Sequence, residues 1–426
     1  MTATETILDF AAAQHHLPAP ARADAVQLLA DTLKVGAAGA ASPEAQILFP
    51  IVCGWGASQE ARSLSGERMP ATSAAFFNGF AIHCLEWDAV HEGAVVHALS
   101  VVTAALLAAS DRMGGSDPDD FLTALAVGVD IASGLGIAAT GAMRFFRPAT
   151  AGVIGAALAV ARLEQLSCAQ MADAMGLAYS FAGGTMQAHV EASITLPLQI
   201  GRAAQAAIQA IDLVKSGMTG PHDVLEGPFG YSNLIEPIDL MRYTKTVGEV
   251  WRISEVSVKP FPSGRASHGA LGALADLRAE GAVSLDTIEG VEMFAPPLIH
   301  RLVGRPYEPA APMSYNRLCM AFLAPLMLRD GHIDPRLVET VAELAEKVTV
   351  TLNGNTDDNA MAPQQLVVKL RDGTTIERII TANLGSPDAP MSPDQSVQKY
   401  NLCRTLAGDC DPRIFDDSLH YATEPR

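Results

Sequence analysis

Three histidines and three carboxylates crowd into one short stretch: His83, Glu86, Asp88, His91, Glu92 and His97. Their surroundings are otherwise apolar, as in AFFNGFAIHCLEWDAVHEGAVVHALSVVTAALLAAS (75–110). Ionisable groups cost free energy to bury unless they are paired or put to use. A core stretch carrying this many is expected to line a cavity where protons move or an anion binds. Two blander chemistries fit the same residue types. The groups can satisfy one another in a wet groove, or Asp88, His91 and His97 can ligate a metal. No HxH or HExxH spacing gathers those three, so the expectation is a site without metal.

A second constellation lies in SVKPFPSGRASHG (257–269). Lys259 ends an apolar run and is stiffened by Pro260 and Pro262, with Arg265 and His268 close behind. The ordinary reading is a strand end with cations reaching for water. The sharper one is a cation held rigidly for an anionic substrate at a domain junction, where clefts usually form. Arg147 (RFFRPATAGVIGAA) and Arg317 (SYNRLCMAF) stand before or within apolar helical runs. An arginine so placed needs an anionic partner, and a substrate carboxylate gripped by both arms of the guanidinium would serve.

The elements that must position these groups are mostly helices. Residues 20–40, 118–135, 149–165 and 197–216 repeat apolar residues every three to four positions, with Pro, Asp or Gly at their ends. Past residue 250 the period changes to two. WRISEVSVKPFP reads as a strand, and VSLDTIEGVEMFAPP, VTVTLNG and QQLVVKLRDGTTIERII follow it, the last with Asp372-Gly373 as a hairpin turn. SPDQSVQKYNLCRTL is helical again. The expected organisation is a mainly α protein. A large helical domain (1–259 and 386–426) is joined by a smaller α+β lid (260–385).

Composition bounds the function. With 426 residues, two domains are expected. A hydrophobic share of 49% against 18% charged residues excludes disorder. A net charge of −18, with no basic stripe, speaks against nucleic acid, though an acidic protein can still carry a locally basic pocket. The six cysteines show no CxxC spacing and read as reduced thiols of a cytoplasmic protein. The windows at 94–110 and 149–162 are interrupted short of a membrane span. The N-terminus lacks the pattern of a secretory signal. The Ala-rich helices at 149–165 and 197–214 offer more apolar surface than one layer needs, which suggests a homodimer.

These motifs together resemble the MmgE/PrpD family. The resemblance rests on Asn78-Gly79, His83, Glu86-Trp87-Asp88, His91 and His97, and on Lys259-Pro260-Phe261-Pro262 followed by His268. TGPHDVLEGPFGY and the stretch from Ser386-Pro387 to Lys399-Tyr400 add to it. It implies a helical domain built from both chain ends, a smaller lid and a homodimer. It also implies activity on polycarboxylates without metal or organic cofactor, as in 2-methylcitrate dehydratase, cis-aconitate decarboxylase and iminodisuccinate epimerase. The chain departs from the pattern at Arg147, where the family has His, and at Leu196, where it has Lys. It departs again at Ala89-Val90, where the family has Asp-Thr, and at Glu86, where it has Asp.

The resulting expectation is a cofactor-independent lyase on a small di- or tricarboxylate, working through an enolate-like anion. His97, Lys259, Glu86 and Asp88 are its catalytic candidates. Arg147, His91, Arg317 and His268 are its binding candidates. An isomerase or epimerase using the same groups, or a silent carboxylate binder, are the alternatives.

Overall fold

A computed structural model describes residues 2–337 and 339–425 of the chain. Its larger part is a stack of helices, chief among them Ala19–Ala40, Ala71–His83, Ala98–Arg112, Pro118–Ala138, Arg147–Leu163 and Thr195–Lys215. Small residues let these helices touch backbone to backbone. A Cβ added to Gly39 would sit 1.9 Å from the carbonyl oxygen of Ala81, and one on Gly201 would sit 2.4 Å from that of Phe76. These two glycines therefore clamp the helix that ends at His83 from two sides. The C-terminal helix Pro393–Ala407 opens with a Ser392 capping box. It lies against Ala19–Ala40, where buried Lys399 pairs with buried Asp31 at 2.5 Å.

Residues 266–380 enclose a second apolar cluster, separate from that of the helices. It is built on a mixed four-stranded sheet ordered Val348–Leu352, Ile288–Ala295, Gln364–Leu370, Thr375–Ile380, with the first pair parallel and the others antiparallel. The last two strands form the hairpin around Asp372-Gly373. Helices His268–Ala279 and Met320–Asp330 contribute to the same cluster.

Two expectations change. WRISEVSVKPFP is not one strand: Arg252–Glu255 is a 3₁₀ turn, and only Val256–Ser257 is extended. The turn is held because Asp130, on the helix behind it, accepts the Arg252 backbone N–H at 3.0 Å. Prolines 260 and 262 then supply no donors to continue a ladder. The helices proposed as a dimer face bury their apolar residues within this chain; in Arg147–Leu163 all but Arg162 are buried. The helix Pro118–Ala138 is long and apolar enough to cross a membrane, but 94% of its most apolar window is buried inside the protein.

Candidate active site

The helix Ala71–His83 stops at the residue that matters, and the next long helix, Ala98–Arg112, starts just after another. His83 is the last residue of the first, and His97 caps the second. The intervening loop folds on itself. His91 and Val96 exchange backbone hydrogen bonds of 3.0 and 3.3 Å around the tight turn 92–95. Two loop residues, Glu86 and Val95, sit at φ 55° and 52°. Such left-handed conformations cost a non-glycine residue roughly 1–3 kcal/mol. They are held in place by contacts, including the Lys259 ammonium donating to the Glu86 carbonyl at 2.9 Å.

A short ladder brings the two distant motifs together. Val90 lies opposite Ser257 and His91 opposite Val256. The Trp87 indole N–H donates to the Pro260 carbonyl at 3.2 Å. Lys259 is thereby delivered beneath the loop, fully buried, with its Nζ 3.4 Å from the Glu86 carboxylate.

At the centre lies Asp88, with no exposed surface. It accepts hydrogen bonds from the Nδ1 of His83 (2.9 and 3.0 Å), the Nδ1 of His97 (3.0 Å) and the Ser100 hydroxyl. Burial opposes its charge, but the two imidazoles outweigh it and hold the carboxyl well below the usual range. Glu86 is also held low: burial works against it, while His83, Lys259 and His97 prevail.

The two imidazoles are pushed in opposite directions. Burial lowers His83, but Asp88 and Glu86 more than reverse this, and its net shift is upward. His97 is lowered by burial, with Lys259 adding to the effect against the pull of Asp88. The helix ends act in the same sense, since a helix C-terminus favours a cation and an N-terminus disfavours one. The two shifts bias His83 toward the imidazolium and His97 toward the neutral imidazole. Their rings stand 4.8 Å apart and nearly perpendicular. Among the described residues, no hydrogen bond reaches the Nε2 of His97, which is left with a lone pair.

Both rings line a cavity with about 610 Å³ of empty space, part of it open to solvent. Glu86, Glu92, His189 and Arg265 share its wall with Val90, Val95, Met143, Phe146, Leu196, Leu318 and Met361. His83, Asp88 and His97 each offer a potential ligand atom within 4.8 Å of one another. The Nδ1 atoms of His83 and His97 are each engaged with Asp88 at about 3 Å. The same linked donors can relay a proton.

The other expected residues lie elsewhere. Arg147 is fully buried and turned away from the cavity. It pairs with Glu236 at 3.0 Å and donates to the Ala94 carbonyl and to Asn359. The expected substrate clamp at Arg147 is withdrawn, because its forked donors are spent holding the loop and helix together. His91 is bonded to Glu255 at 2.9 Å and accepts from the Ala94 N–H. That makes it a brace of the loop and not a binding group. His268 is enclosed, bonded to Ser263 and Arg265, and driven well below its usual pKa by burial and by Arg265. It belongs to the interior and not to the cavity wall. Arg317 donates to the Cys84 and Pro335 carbonyls and lines a smaller adjoining cavity with Glu86 and Leu196.

The sequence singled out His83, Glu92 and Arg265 within its two motifs without giving them a catalytic or binding role, and it gave no sign of His189. For His83 a signal existed: a histidine closing an apolar helix five residues before an aspartate. His189 is lowered to about 4 by burial and by Arg305, and so is neutral. Arg265 grips Glu92 at 2.5 Å across the two motifs.

Comparison with known proteins agrees with this architecture. The MmgE/PrpD N-terminal domain matches residues 7–240, and the MmgE/PrpD C-terminal domain matches residues 261–413. Human (Homo sapiens) cis-aconitate decarboxylase is 28% identical over 370 residues, covering 80% of this chain and 75% of that protein. The Mus musculus cis-aconitate decarboxylase is 26% identical over 372 residues, 79% and 74% of the two chains. That of Aspergillus terreus is 24% identical over 376 residues, 80% and 76%.

Proposed function

The chain belongs to the MmgE/PrpD family, and from that premise we propose that it is a cofactor-independent lyase acting on a small di- or tricarboxylate. The reading is carried by one observation: two imidazoles share one buried carboxylate and are biased to opposite protonation states. Such a split supplies a base and an acid at the same pH. In an elimination, the Nε2 of His97 takes a proton from the carbon next to a carboxylate. The electron pair spreads into that carboxylate as an enolate, and the departing hydroxide takes a proton from the His83 side. In a decarboxylation, the breaking C–CO₂ bond supplies the electron pair, and the resulting carbanion is quenched by a proton from the imidazole pair. Lys259, acting with His83, offsets the negative charge that develops in either case. The decarboxylase relatives favour loss of a fragment over simple rearrangement.

A second reading has a specific observation behind it. The family's Lys is Leu196 here, on the cavity wall, and Arg147 is turned to Glu236. A protein so depleted of proton carriers could act as an epimerase or only bind its ligand. Incubation with citrate, 2-methylcitrate, cis-aconitate and iminodisuccinate in deuterated buffer separates the readings. New products mean a lyase, and deuterium wash-in without a new compound means an isomerase. A thermal shift alone means a binder.

A further inference from the structure

Resting on that reading of the cavity as the reaction site, we propose that its substrate is a dicarboxylate bearing an apolar arm and not a tricarboxylate. The charges come first. The cations on or directly behind the wall are His83, Lys259 and Arg265, and they face three carboxylates, Glu86, Asp88 and Glu92. Arg265 is the most fully committed. It holds Glu92 and also donates to the Leu384 and Asn383 carbonyls. The remaining histidines of the wall, His97 and His189, are held neutral. The wall therefore carries no surplus positive charge to receive three carboxylates. Nearby, one guanidinium keeps a buried donor in reserve: the Nη1 of Arg305 has no acceptor. Its Nη2 donates to the His189 carbonyl, and its plane lies 4.7 Å over the Tyr315 ring. In this proposal one carboxylate is met by His83 on the wall, backed by the buried Lys259, and a second by Arg305, which is joined to the wall through His189.

The rest of the wall is oily. Met143, Phe146, Met186, Leu196, Leu318 and Met361 all face the cavity. A tricarboxylate such as citrate or cis-aconitate has little apolar surface to give them and would leave its third charge against them unpaired, which is costly. An alkyl branch would instead exchange water for this wall, and the thioethers of the methionines adapt to its shape. Each added methylene should tighten binding roughly four-fold until the space is filled.

The test is calorimetric titration of the full-length protein with 2-methyl-, 2-propyl- and 2-pentylsuccinate, and with citrate and cis-aconitate. The expected result is a Kd that falls by several-fold per methylene along the series. The tricarboxylates should bind at least ten-fold more weakly than the pentyl compound. Leu196→Lys, which returns a cation to the wall, should flatten the alkyl series and strengthen cis-aconitate binding. Met361→Ala is the milder companion and should weaken only the longest arm. Citrate or cis-aconitate binding more tightly than every alkylsuccinate, a flat alkyl series, or no binding at all would overturn the proposal. Deuterium wash-in at the carbon next to the carboxylate, followed in the same samples, reads the catalytic assignment separately. Tight alkylsuccinate binding without exchange leaves the ligand class standing and removes the proton-transfer reading. Exchange confined to the tricarboxylates does the reverse.

Discussion

Asp88 takes an Nδ1–H from both imidazoles and raises both; Glu86 adds to the rise of His83, whereas burial and Lys259 carry His97 downward. The proposed reaction needs His83 protonated and His97 neutral. The pH profile of kcat/KM should therefore rise through an apparent pKa below 6.5, the ordinary value from which His97 is lowered. It should fall through one above 6.5, the value from which His83 is raised. Both limbs belong to the coupled pair. The linkage to stability has a definite sign: a raised His83 contributes stability that is complete below about 6.5 and is lost as pH climbs through its folded value. Histidine side-chain NMR titration would show two rings moving on opposite sides of 6.5, and Asp88→Asn should shift both downward while lowering kcat/KM roughly 10²–10⁴-fold. Lys259, expected as a rigidly held cation for an anionic substrate, is completely buried against Glu86. Arg147→Ala strands the buried Glu236 carboxylate and should cost about 3–5 kcal/mol in urea unfolding, and Lys259→Ala, which removes the ammonium beside the cavity-facing Glu86, should cost less. Midpoints within a degree of wild type would contradict these pairings.

The site is only as exact as the helices that end on it. Gly39 touches the Ala81 carbonyl two residues before His83, so Gly39→Ala must push that last turn outward. The cost should be roughly 1–3 kcal/mol of overpacking, together with a fall in kcat/KM. Ser392→Ala removes a cap far from the cavity and should cost about 1 kcal/mol with catalysis unchanged. Measuring unfolding and turnover on both variants separates helix placement from general stability. The helices themselves were legible in the sequence because their apolar period and end residues are local. Helix 118–135, for example, extends three residues further, to Ala138. The segment after residue 250 misled because its alternation is also local, whereas the Asp130 carboxylate that holds Arg252 in a turn lies far off in sequence. Arg147 misled in the same way. The need of a buried guanidinium for an anion is readable, but its supplier, Glu236, is not.

At the scale of the whole molecule, apolar surface remains on the helix Pro43–Cys53 and just beyond it. Ile47 is 71% exposed, Ile51 53% and Trp55 50%. A homodimer is proposed on this face, replacing the buried helices first assigned to it. Light scattering at micromolar concentration should give twice the chain mass, and Ile47→Asp with Ile51→Asp should halve it. A monomeric wild type would sink the assignment. The two-part architecture was readable from the change of period along the chain. The cavity was not, because it exists only where the loop after His83 meets Lys259 through a two-residue ladder. The proposed reaction turns on His97 moving a proton at carbon. The direct test is NMR of cis-aconitate and of an alkylsuccinate in deuterated buffer with wild type and with His97→Asn. The account predicts deuterium in the carbon skeleton with wild type on at least one of them, and a loss of at least a hundred-fold in His97→Asn while the unfolding midpoint holds. Equal deuterium incorporation by the two proteins would contradict it.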